Sequence, residues 1–161
     1  MLNRKRRRKP GQILKIDLGA GIYALGIVLD EPLIAFFDQE FKEASAYEVE
    51  RLPVAFILMV MNNAVTSGRW DVLGMQNIPD RLSDKPKFCK QDPISGDLSI
   101  YQEIDELAPH FERPAEPGEC EGLETAAVWE AEHVEDRLRD HFAGRENEWE
   151  KQLRIQGSVS T

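Results

Sequence analysis

The chain has 161 residues, of which 42% are hydrophobic and 30% charged, and a formal net charge of −9. That balance fits one globular domain with a real core and excludes bulk disorder. No apolar run reaches the ~18–20 residues needed to cross a bilayer as a helix. Lys15 and Asp17 interrupt the first apolar segment, so no secretory signal is read and the cytoplasm is the expected location.

The charge is unevenly spread. Arg4, Lys5, Arg6, Arg7, Arg8 and Lys9 put six bases and no acid in the first ten residues. Between Glu103 and Glu150 there are 16 acids and 4 bases. The expected organisation is a flexible basic arm over 1–10, one domain over 11–155 and a flexible tail over 156–161. Such an acidic body repels nucleic acid and attracts basic partners.

Along the chain, Leu14, Ile16 and Leu18 alternate with Lys15 and Asp17, the pattern of a half-buried strand. After the Gly19-Ala20-Gly21 turn, Ile22 to Leu29 is apolar throughout, as in a strand covered on both faces. Asp30-Glu31-Pro32 turns the chain into a third strand, Leu33 to Phe37. Ser45 and Glu48 have capping-box spacing, which predicts a helical turn before Leu52. Val54 to Met61 returns to the core, and Trp70 to Met75 reads as another strand. Residues 84–97, with Pro86, Pro93 and Ser95-Gly96, read mostly as loop. Leu98 to Tyr101 is a short strand, and residues 109–122 form an acidic, proline-containing connector.

Ala127, Ala131, Val134, Leu138, His141 and Phe142 then fall on one helical stripe. Glu135 and Arg139 form an i,i+4 pair in the favoured order, and Gly144 is the expected C-cap. A second helix follows over 146–153. The fold class is therefore α+β: a curled antiparallel sheet of about five to seven strands, or a small partly open barrel, with C-terminal helices packed beside it. Trp70 and Tyr23 belong to the core.

Several chemistries lack a motif. The chain has no Gly-x-Ser-x-Gly elbow and no phosphate-binding glycine loop, so no catalytic residue is assigned. His110, His133 and His141 do not converge, and the single Glu130/His133 spacing is too little for a metal. Neither a cofactor nor a metal is expected. Cys89 and Cys120 are expected to be free thiols.

Four segments stand out together: Lys9 to Leu18; Gly21-Ile22-Tyr23-Ala24-Leu25-Gly26-Ile27-Val28; Gly68-Arg69-Trp70-Asp71-Val72-Leu73-Gly74 with Ile78-Pro79; and Pro86-Lys87-Phe88. They resemble the immunity protein 26 family of bacterial polymorphic toxin systems. Gln12, Asp17 and Ala24 depart from the family's usual acid, proline and glycine. The resemblance implies a protein that binds a cognate toxin domain and blocks it without catalysis. The acidic body suits a toxin with a basic cleft, such as a nuclease. The expected toxin-binding residues are Glu119, Glu121, Glu124, Glu132, Glu135, Asp136, Asp140 and Trp149. Two alternatives stand beside this reading: a nucleic-acid-associated small barrel using Arg4 to Lys9, and an adaptor unrelated to toxins. No membrane partner is expected.

Overall fold

The computed structural model describes residues 7–42, 48–102 and 111–154. The Ser45 half of the expected capping box lies outside them. Six strands form one sheet: β1 (Gln12–Gly19), β2 (Ile22–Val28), β3 (Leu33–Phe41), β4 (Val54–Val60), β5 (Asp71–Met75) and β10 (Val128–Trp129). Their order is β10-β4-β3-β2-β1-β5. A smaller sheet has the order β8-β7-β6-β9, made by β6 (Lys87–Gln91), β7 (Leu98–Gln102), β8 (Phe111–Pro114) and β9 (Glu124–Thr125). Neighbouring strands are antiparallel except β10 on β4 and β9 on β6. Three helices complete the described residues with two single 3-10 turns: α1 (Asn63–Thr66), α2 (Ala131–Ala143) and α3 (Glu148–Leu153).

The class is α+β as expected, but the strands number ten among the described residues and form two sheets, not closed into a barrel. The larger sheet is the middle layer. Leu14, Ile16, Phe36, Leu58 and Trp70 on one face pack with Val134 and Leu138 of α2. Ile13, Leu25, Ile27 and Phe37 on the other pack with Leu82 and with Phe88 of β6. This is why β2 and the first half of β3 carry unbroken apolar runs: both faces are covered.

Three local expectations change. Residues 87–91 are strand β6 rather than loop, because Lys87 and Lys90 point outward while Phe88 and Cys89 are buried. Helix α2 starts at Ala131, not Ala127, because Val128 and Trp129 pair with Met59 and Val60 as β10. At its other end Gly144 is the C-cap, at φ 69°, with its N–H directed to the Asp140 and His141 carbonyls. Cys89 and Cys120 are joined in a disulfide, not free. The pairing of β9 with β6 draws the connector back over Cys89, leaving the two Cα atoms 5.4 Å apart. Disulfides belong to oxidising compartments, so cysteine usage no longer argues for the cytoplasm.

Trp70 is fully buried, with its ring edge-on to Phe36 at 5.7 Å. Trp70→Ala should cost roughly 3–5 kcal/mol, the range for deleting a buried large aromatic ring. Urea denaturation measures this directly; a midpoint equal to the parent's would place the ring outside the core.

Candidate protein-binding surface

Helix α2 meets the sheet through positions 131, 134, 135 and 138, the i, i+3, i+4, i+7 spacing of a buried stripe. Glu135 occupies that stripe, and its side chain is only 9% exposed. Its carboxylate accepts from Arg69 Nε at 2.7 Å and a terminal Arg69 nitrogen at 2.9 Å, and from Trp70 Nε1 at 2.9 Å. The hydrogen bond to Glu135 raises the Arg69 pKa above its ordinary value. Arg139, one turn on, donates from Nε to the Leu18 carbonyl at 2.9 Å and so ties α2 to β1. Glu135, expected on the surface, is thus a buried carboxylate bonded within the chain.

Most of the other expected binding residues also have partners within the chain. Glu124 pairs with Arg137 at 2.5 Å. The Arg137 guanidinium lies over Phe56 at 4.1 Å and Trp129 at 5.2 Å, which makes it a buried cation with aromatic and carboxylate neighbours. Asp136 accepts from Arg139 at 2.9 Å and from Trp149 Nε1 at 3.2 Å. Asp140 accepts from Asn147 at 2.9 Å and pairs with Arg145 at 3.2 Å. Trp149 is half-buried and stacks on His133 with ring centroids 3.7 Å apart, joining α3 to α2. In the connector, Arg113 donates to both Glu119 oxygens, at 2.8 and 2.5 Å, and the Glu116 N–H donates at 2.6 Å. These bonds, that of Arg113 above all, lower the Glu119 pKa to about 2.

Two of the eight expected residues present a carboxylate largely to solvent. The Glu132 side chain is 71% exposed and makes a long ion pair with Arg69 at 3.8 Å. Glu121 is exposed in the connector. Glu130 and Glu148 are two further surface acids beyond those expected. They are exposed at the starts of α2 and α3, where acids complement the helix dipole; the helix-start pattern is the sequence signal for both.

The basic arm divides. Arg4, Lys5 and Arg6 lie outside the described residues, and Arg7 and Lys9 are exposed. Arg8 docks on the body: it donates to the Val60 carbonyl at 2.6 Å, the Pro32 carbonyl at 2.5 Å and Asn62 Oδ1 at 3.1 Å. Its guanidinium is thus held by the body and not extended as part of a free arm. Among the described residues no group of three or more His, Cys, Asp or Glu side chains could hold a metal. No helix among them is long and apolar enough to cross a membrane.

Two outcomes follow from this geometry. Glu135→Ala leaves the buried Trp70 Nε1–H and the exposed Arg69 guanidinium without their acceptor and should destabilise the fold by roughly 1–3 kcal/mol, the cost of leaving a buried donor unsatisfied. Glu132→Lys should stay within about 0.5 kcal/mol of the parent, as exposed substitutions do; equal losses in denaturant titrations would disprove the distinction. Glu119 should titrate near about 2 by NMR, and move toward the ordinary glutamate value in Arg113→Ala. Because the folded pKa is depressed, the stability from this pair is complete above the unfolded glutamate value and is lost as pH falls through the folded one.

Residues 9–99 match the family model Imm26, Immunity protein 26, which covers more than half of the chain. No curated protein and no solved structure matches it. The match spans β1 to the start of β7, including the whole of the doubly covered β2–β3 hairpin and the Arg69-Trp70 segment that holds α2. The chain belongs to the immunity protein 26 family.

Proposed function

We propose that the chain neutralises a cognate toxin by stoichiometric binding, without catalysis, and that the toxin presents a basic surface such as a nuclease cleft. Family membership carries the reading, and the distribution of carboxylates supports it. Internal partners take up Glu124, Glu135, Asp136 and Asp140. Glu121, Glu130, Glu132 and Glu148 remain exposed on the connector and the two helices. Solvent-exposed carboxylates steer a basic partner and accelerate docking, whereas those held in close internal pairs are already partly neutralised. The proposed interface is therefore narrower than the acidic composition implies, with Glu121 and Glu132 as its retained members.

The experiment is co-expression with the cognate toxin domain. The parent should restore growth. The double variant Glu121→Lys with Glu132→Lys should keep the parent's thermal melt and bind the toxin domain roughly ten-fold more weakly or worse, with the loss concentrated in the association rate. Full rescue and unchanged affinity would remove both carboxylates from the interface; failure of the parent to rescue would remove the toxin reading.

A further inference from the structure

Strands β6 and β7 are joined by a six-residue tip, Asp92-Pro93-Ile94-Ser95-Gly96-Asp97. Ile94 at its apex is 96% exposed, the most exposed of the large hydrophobic residues described. Among the described residues its side chain is covered by almost nothing. A tip that only turned the chain would be served by a polar residue, and water is a poor environment for a bare branched side chain.

The tip is also stiff. Asp92 Oδ1 accepts from the Ile94 N–H at 2.8 Å and the Ser95 N–H at 2.9 Å. Backbone bonds run from Asp92 N to Asp97 O and from Gly96 N to Asp92 O, both 2.9 Å, and Gln91 Nε2 donates to the Gly96 carbonyl at 3.2 Å. The hairpin below is in unbroken register from Lys87↔Gln102 to Gln91↔Leu98. Strand β9 and the Cys89–Cys120 bond brace one side of it, and β8 braces the other. A side chain held out on such a support loses little conformational freedom on binding, which is the basis of a strong anchor.

The surroundings define the partner. Asp92 and Asp97 flank the isoleucine and are exposed. The nearby cations are internally engaged: Lys90 pairs with Glu112 at 3.3 Å, and Arg113 with Glu119. The connector leaves the sheet beside the tip, since the Ala115 N–H donates to the Leu98 carbonyl at 2.9 Å, and it carries Glu116 and Glu121, both exposed. We propose that the β6–β7 tip is the anchor of the toxin interface, with Ile94 entering an apolar pocket on the toxin whose rim is cationic. This rests on the toxin-neutralising reading and names the element that does the binding.

The test uses the full chain and the purified cognate toxin domain, with affinity measured by calorimetry and fold by thermal melting. Ile94→Asp should leave the melt unchanged and weaken binding roughly thirty-fold or more, as loss of a central anchor does, while Ile94→Val should stay within a few-fold of the parent. Parent-like affinity in Ile94→Asp, with Glu121→Lys and Glu132→Lys still weakening the complex, would overturn the anchor and leave the toxin reading standing. If the parent itself neither binds nor neutralises the toxin, both fall. A concentration-dependent dimer of the parent that Ile94→Asp abolishes would assign the tip to a second copy of this chain and overturn the proposal.

Discussion

A carboxylate buried between a helix and a sheet is costly to leave unpaired, and here its pairing organises the molecule. Glu135 accepts three hydrogen bonds from two adjacent residues, Arg69 and Trp70. Those residues follow α1 and lead directly into β5, so the same short segment fills the core, starts the edge strand and receives α2. Removing the charge from water carries a penalty that only good geometry and full hydrogen bonding repay. A bidentate guanidinium and an indole N–H meet that condition, and they fix where along the sheet α2 can lie. Arg139 on Leu18 and Arg137 over Phe56 then define how α2 is rotated about its axis.

That arrangement alters what the net charge means. A count of acids in the C-terminal third suggests a broad negative face. In the folded chain many of those acids are ion-paired to arginines three, four or more residues away, and the pair of Arg137 with Glu124 is largely buried. The field that a partner meets comes from the acids left over, at helix starts, along the connector and at the hairpin tip. Composition measures charge before folding, whereas recognition depends on charge after pairing.

The same contrast decides which features are legible in the sequence. The two-sided burial of Ile22 to Leu29 is readable because an unbroken apolar run between two turns leaves no polar face for water, and Gly144 is readable because a left-handed cap favours glycine. The buried role of Glu135 is present in its spacing from Ala131, Val134 and Leu138, but a glutamate reads as a surface residue by type, and here position outweighs type. Strand β6 is hidden because its outward lysines and the flanking Pro86 and Pro93 resemble loop composition. The Cys89–Cys120 bond leaves no sequence signal at all: it depends on β9, a two-residue strand too short to be periodic, returning to pair in parallel with β6. Charge and aromatic character nominate the eight expected interface residues, and only tertiary partners separate the open ones from the struts.

The two sheets divide the work along this line. The centre of the larger one, β2 and the first half of β3, is buried on both faces, so substitutions there act on stability before anything else. The smaller one packs on it through residues such as Phe88, and keeps its hairpin tip and connector free of the core. A six-residue tip that is hydrogen-bonded throughout, braced by neighbours on both sides and topped by a bare isoleucine is ordered before any partner arrives. Flexible loops must lose entropy to bind, whereas this one has already lost it in folding. Rigidity in the large sheet makes the chain a stable member of its family; rigidity in the small sheet, placed beneath an exposed apolar side chain, is what suits the hairpin to tight recognition of another surface.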